Sequence, residues 1–111
     1  MELMKREELN DEAIAMIANR FRILSDPMRL KILHTLGEAE MNVSDLVEAT
    51  GAGQANVSKH LGVMLDAAIV SRRKEGLNSF YKVSDETIFE LCDVVCARLK
   101  AQLESRRAVF G

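Results

Sequence analysis

Three groups of side chains in this sequence can do chemistry, and each has a plain structural explanation beside it. In QANVSKHL, residues 54–61, polar groups recur along a short apolar frame. With Val57, Leu61 and Met64 turned inward at helical spacing, Gln54, Ala55, Ser58 and Lys59 face outward. Those side chains suit base edges: Gln54 can pair bidentately with adenine, Lys59 can reach guanine or a phosphate, and Ser58 can take either. Asn56 suits a phosphate oxygen. The alternative is a solvated helix face. Arg72, Arg73 and Lys74 are consecutive cations beside a turn, which fits phosphates or a narrow minor groove. A run of this kind also keeps an edge strand from aggregating.

The third group is LCDVVC, residues 91–96, with the only two cysteines, Cys92 and Cys96. Four residues apart, they share one helix face at about 5–6 Å between Cβ atoms. An intrahelical disulfide is awkward there, because bridged Cβ atoms lie nearer 4 Å. Two thiolates one turn apart can chelate a soft ion, and a second copy would bring four sulfurs together. Such a cluster suits As(III), Cd(II), Zn(II) or Cu(I). Inert packing as small hydrophobes is a second reading, and disulfide or persulfide switching a third. Of the two histidines, His34 falls at a helix edge, and His60 admits either a DNA-facing or a buried, satisfied role.

These groups need a frame. Asn10 caps a helix over 11–24, with Ile14, Ile17, Ala18, Phe21 and Leu24 at helical spacing. Asp26 and Pro27 restart the chain, since proline suits the first helical position. Met28, Ile32, Leu33 and Leu36 then form one stripe up to Gly37, giving a helix over 27–37. Asn42 caps a short third helix containing Val43, Leu46 and Val47. Gly51 and Gly53 flank a tight turn into a fourth helix over 54–66. Two short helices about a glycine turn make a helix-turn-helix. Strands over 69–74 and 79–84 form a hairpin around EGLN. Asp85 opens a last helix to 106, striped by Ile88, Leu91, Cys92, Val95, Cys96, Leu99 and Leu103. The expected fold is mainly α with a small β-hairpin, in the order α-α-α-α-β-β-α. That is one winged helix-turn-helix domain spanning 1–111: helix-turn-helix 43–66, wing 69–84, terminal helix 85–106.

The totals narrow the function. Net charge is −2, but its distribution is uneven. Residues 54–82 hold five bases (Lys59, Arg72, Arg73, Lys74, Lys82) against two acids (Asp66, Glu75), a local +3, whereas residues 36–50 hold four acids and no base. This is a local electrostatic footprint within an acidic chain. No apolar run of about 18 residues predicts a membrane span. MELMKREELNDE lacks the apolar region of a signal peptide, so a cytoplasmic protein with reduced thiols is expected. No nucleophile–base pair or phosphate loop argues for an enzyme; GAGQAN is a turn.

Together these stretches resemble the ArsR/SmtB family of bacterial winged-helix repressors over about residues 13–103. SDPMRLKILHTL is similar to the family's D-P-x-R-x-x-I-L helix, QANVSKHL to its S-x-H-L recognition helix, and IVSRRKEG…FYKVS to its wing. The resemblance implies a homodimer, paired through its N-terminal and C-terminal helices, on double-stranded operator DNA. Its DNA-binding residues would be Gln54, Asn56, Ser58, Lys59, His60, Arg72, Arg73 and Lys74, with His60 at the DNA face or against the helix pair. The proline-capped helix would be scaffold. Family members typically respond to metals or metalloids, some to reactive sulfur or oxidants. The arsenic-type C-x-C is missing, with Met41 and Val43 about where the thiolates would stand. The zinc-type Asp and His set is missing too, since the last helix has no histidine. Cys92 and Cys96 remain as candidate ligands for an inducing ion. The competing readings are a thiol redox or reactive-sulfur sensor and a ligand-independent protein-interaction module.

Overall fold

The computed structural model describes residues 9–110; most of the acidic start of the chain therefore lies outside the described residues. Eight elements follow in order: α1 (Asp11–Leu24), α2 (Pro27–Leu36), β1 (Met41–Asn42), α3 (Val43–Thr50), α4 (Gln54–Asp66), β2 (Val70–Glu75), β3 (Asn78–Val83) and α5 (Thr87–Phe110).

Local chemistry fixes most boundaries. The Asn10 side chain accepts a hydrogen bond from the Ala13 N–H at 2.8 Å, opening α1. Asp26 Oδ1 accepts from the backbone N–H groups of Met28 and Arg29 at 2.8 and 3.2 Å, and Pro27 takes the first helical position of α2. Asn42 and Asp45 form a reciprocal capping box at the start of α3.

The sheet departs from expectation. It has three strands in the order β1-β3-β2, both pairings antiparallel. Two-residue β1 sets Met41 opposite Tyr81 and Asn42 opposite Phe80. The wing strands each lie one residue nearer the turn than the expected 69–74 and 79–84, and Gly76 and Leu77 alone form the turn. Gly76 has φ +60°, as a tight hairpin of this kind requires of its first central residue.

The core lies where α2, α3 and α4 meet the base of the sheet. Ile32, Leu33, Leu36, Leu46, Val57, Leu61, Met64, Ile69 and Val70 are buried there, with Ile88 from the start of α5. Elsewhere α1 and α5 are not covered. Ile14, Ile17, Phe21, Val95, Leu99 and Leu103 are exposed, and the two helices wall an apolar groove of 730 Å³ with part of α2. Arg20 ties the outer helices to the core: its guanidinium donates to Asp85 Oδ2 at 3.1 Å and to the Ala67 carbonyl at 3.3 Å. Among the described residues no helix is long and apolar enough to cross a membrane.

Candidate nucleic-acid interface

The turn between α3 and α4 is held from three sides. Gly51 closes α3 with φ +76°, its N–H donating to the Val47 carbonyl at 2.9 Å. The buried Thr50 hydroxyl donates to the Leu46 carbonyl at 2.6 Å and accepts from the Ala52 N–H at 3.3 Å. Lys31, from α2, donates to the Thr50 carbonyl at 3.0 Å. The start of α4 is therefore fixed in space, yet Gly53 offers no side-chain cap there. The first amide groups of α4 stay free, and their partial positive charge favours a phosphate.

Along α4, Val57, His60, Leu61 and Met64 are buried, and Gln54, Asn56, Ser58 and Lys59 are exposed. At 100° per residue, Gln54, Ser58 and Lys59 share one face with Ala55 and Gly62, and Asn56 lies at its flank. Small Ala55 and Gly62 keep this polar strip low, so a groove can approach it closely.

His60 belongs to the opposite side, which corrects its assignment to the DNA-binding residues. It is 6% exposed, and its Nδ1 accepts from Arg29 Nε at 3.1 Å. Its Nε2 lies 3.9 Å from Asp26 Oδ1. Arg29 also donates to the Ile23 carbonyl at the end of α1 at 3.1 Å. One polar cluster thus joins the end of α1, the cap of α2 and the middle of α4. Hydrogen bonds from the Arg29 and Met28 amides, with the Arg29 guanidinium nearby, hold the Asp26 carboxyl below the usual range.

The wing splits the three cations. Successive strand residues point to opposite faces, so Arg72 and Lys74 share one face and Arg73 takes the other. Arg72 and Lys74 are exposed. Arg73 is engaged: its Nε donates to both Glu40 carboxylate oxygens at 3.2 Å, and Nη2 to Oε1 at 2.7 Å. Nη1 donates to Glu75 Oε2 at 2.6 Å, and the guanidinium lies 4.9 Å over the Phe80 ring, its cross-strand partner. Glu40 is held below the ordinary carboxylate range by these bonds, and Arg73 is pushed further up. As it stands, Arg73 is not a free phosphate ligand, which corrects the reading of 72–74 as a single patch.

Cys92 and Cys96 both line the groove between α1, α2 and α5, the first half-buried and the second exposed. Burial pushes the Cys92 thiol up, and the charges of Asp93 and Cys96 add to the effect. His34 lies at the exposed edge of α2, its ring 5.6 Å from that of Phe89. Among the described residues no cluster of three or more His, Cys, Asp or Glu side chains could hold a metal ion within one chain.

Sequence reading missed β1, Glu40 and the Arg29–His60 contact. Two residues are too few for a strand period, and Arg29 and His60 lie 31 positions apart. Arg29, two positions after Pro27, reads from sequence only as part of a scaffold helix.

Comparison with known proteins bears on this geometry. The sequence profile of the bacterial regulatory proteins of the arsR family matches residues 26–72, from the α2 cap to the first wing cation. The biofilm growth-associated repressor of Xylella fastidiosa is 33% identical over 101 residues, covering 87% of this chain and 88% of that protein. The HTH-type transcriptional regulator KmtR of Mycobacterium tuberculosis is 32% identical over 85 residues, covering 77% of this chain and 65% of its own length. The probable mercury resistance operon repressor of Streptomyces lividans is 38% identical over 84 residues, 76% of this chain and 66% of that one. This chain thus spans about two thirds of the length of the last two relatives. Among solved structures, M. tuberculosis Rv0081 superposes with a TM-score of 0.75 at 29% identity, covering 87% of this chain and 98% of that one. The homodimeric winged helix-turn-helix DNA-binding domain Mb0332 of Mycobacterium bovis gives 0.69 at 26% identity, covering 87% and 93%. A free polar strip on α4, a wing beside it and these relatives have one meaning: the chain belongs to the arsR family of bacterial regulatory proteins, DNA-binding transcriptional repressors rather than enzymes.

Proposed function

We propose that the chain acts as a homodimer on operator DNA, with α4 in the major groove and the wing on the flanking backbone. The observation that carries this is the two-sided character of α4. Val57, His60, Leu61 and Met64 are buried, and Gln54, Asn56, Ser58 and Lys59 are left exposed on a helix whose start is fixed by α2. Gln54, Ser58 and Lys59 read base edges; Asn56, Arg72 and Lys74 hold phosphates. Few cations per chain make one copy a weak binder. Two copies double the phosphate contacts and read half-sites about one helical turn apart, roughly 34 Å. The exposed apolar faces of α1 and α5 are the surface for that pairing. On this reading the protein works in the cytoplasm, where its operator would be.

Release is the second half of the proposal. Cys92 and Cys96 sit on the groove wall that pairing would adjoin, so a thiophilic ion bound there would shift the packing of α5 and disfavour operator spacing. A relative named for mercury resistance supports this chemistry. One chain supplies two thiols only, so a complete ligand set draws on both copies. The raised thiol pKa of Cys92 means the ion must displace a proton on binding. A coupling of about 1–3 kcal/mol would weaken DNA binding roughly 5- to 150-fold.

The test is fluorescence anisotropy with duplexes from the chain's own promoter region, at several salt concentrations. Lys59→Ala and Gln54→Ala should weaken specific binding, and no binding to any duplex at low salt would end the DNA reading. The reduced protein is then titrated with As(III), Cd(II), Zn(II) and Cu(I), following thiolate charge-transfer absorbance and DNA release together. If Cys92→Ser/Cys96→Ser still releases DNA with the same ion, the thiols have no part in sensing.

A further inference from the structure

The wing carries one charged group whose surroundings contradict its obvious use. Arg73 stands between two cations suited to phosphates, yet three of its nitrogens are committed to two carboxylates. Isolated surface ion pairs are weak. This one has the features that make exceptions: a bidentate arginine–carboxylate fork, a second carboxylate and an aromatic ring beneath the guanidinium.

The partner comes from outside the wing. Glu40 directly precedes β1, and the register Met41↔Tyr81 and Asn42↔Phe80, continued by one residue, brings Glu40 opposite Lys82. Glu40 therefore shares the sheet face of Arg73, Phe80, Glu75 and Lys82. The short strand β1 sets that carboxylate against the wing. On this face two carboxylates offset two cations, and the other face keeps Arg72 and Lys74 unopposed.

Resting on the DNA reading above, we propose that Glu40 is a positioning residue of the wing: with Glu75 it holds the Arg73 guanidinium off the duplex, so that Arg72 and Lys74 alone grip phosphates. Losing the Glu40 carboxylate frees the guanidinium from its bidentate partner, and the strongest anion then within its reach is the DNA backbone. Glu40 thereby sets a ceiling on affinity that does not depend on sequence, and a repressor that must be released benefits from such a ceiling.

The experiment compares the full chain with Glu40→Gln, Glu40→Gln/Arg73→Gln, Arg73→Gln and Glu38→Gln. The last makes the same charge change two residues away, where no contact to Arg73 exists among the described residues. Binding to an operator duplex and to an unrelated duplex is measured from low to high salt. One added phosphate contact steepens the slope of log K against log[salt] by about 0.9 per chain, and strengthens binding roughly fivefold per chain at about 0.15 M salt. Glu40→Gln should show this on both duplexes, Glu38→Gln should not, and the gain should vanish when Arg73→Gln is the background. A gain that persists without Arg73 would mean simple charge removal and overturn the proposal, as would an unchanged slope in Glu40→Gln. Weaker binding by Glu40→Gln with a lower melting temperature would make the cluster a structural staple, again against it. A wild-type chain that binds neither duplex removes the DNA reading itself, a result distinct from all of these.

Discussion

Helices α4 and α5 are built from similar residues at the same spacing and meet opposite fates. On α4, Leu61 is wholly buried among side chains of the core. On α5, Leu99 is 54% exposed and Leu103 62% exposed. The α1 stripe behaves like that of α5, with Phe21 as open as Leu99. Helical periodicity therefore says that a face will be covered, and says nothing of which chain covers it. The reading head of α2, α3, α4 and the sheet is complete within one chain. The outer helices carry apolar faces that this chain leaves uncovered, and they join the head through Arg20 and Arg29.

The sharpest test of that division is a pair of truncations and charges. Leu61→Ala opens a cavity in the finished core and should cost about 2–5 kcal/mol in urea unfolding. The loss should be the same at every protein concentration. Leu99→Glu should leave the head folded and abolish association, seen as a monomer in sedimentation equilibrium. Operator affinity should then fall roughly 100-fold or more, because half the phosphate contacts of the pair are lost. If Leu99→Glu unfolds the chain instead, the outer helices belong to the same core and the comparison fails.

The same division explains how much was legible in the sequence. Most helix starts and ends were readable because Asn10, Asp26, Pro27, Gly37, Asn42 and Gly51 each perform a local task that needs only near neighbours. The end of α5 was less so. No glycine or proline follows residue 106 until Gly111, and the helix runs to Phe110. The polar strip on α4 was also readable, since Val57, Leu61 and Met64 fix which side faces inward. What escaped depends on distant pairs. His60 suits either side of α4 until Arg29 claims its Nδ1. Arg72, Arg73 and Lys74 look equivalent until the strand pleat separates them and Glu40 takes the middle one.

A subtler handle lies in the polar cluster that links the two regions. Asp26 has a folded-state pKa below its usual value, near 3.9 in a free chain. A depressed carboxylate contributes stability that is present above about pH 4 and lost as pH falls through the folded value. Asp26→Asn keeps an N-cap acceptor for the Met28 and Arg29 amides but removes the titrating charge. The variant should be less stable than wild type near pH 7, lose less stability below about pH 4, and converge on wild type as Asp26 becomes protonated. Thermal unfolding across pH at one protein concentration measures this. An unchanged acid limb would mean that other carboxylates dominate acid unfolding.

The smallest expected effect sits at the join of α4 and the wing. Ala68 has φ +59°, the only positive value at a non-glycine residue among those described. It occupies the left-handed position of a helix end: the Ala68 N–H donates to the Leu65 carbonyl at 3.0 Å and the Ile69 N–H to the Met64 carbonyl at 2.9 Å. The Ser84 hydroxyl donates to the Ala68 carbonyl at 2.9 Å and holds the strained turn in place. A Cβ in this region costs about 1–2 kcal/mol, whereas glycine avoids that cost and loses more chain entropy on folding. Ala68→Gly should therefore stabilise the head by about half a kcal/mol or slightly more, read as a small rise in Tm. Association through α1 and α5 should not change, because the turn lies in the finished part of the molecule. A shift in the dimer constant of Ala68→Gly would show instead that the angle of α4 to the wing is set jointly with the outer helices, and the two regions would have to be treated as one.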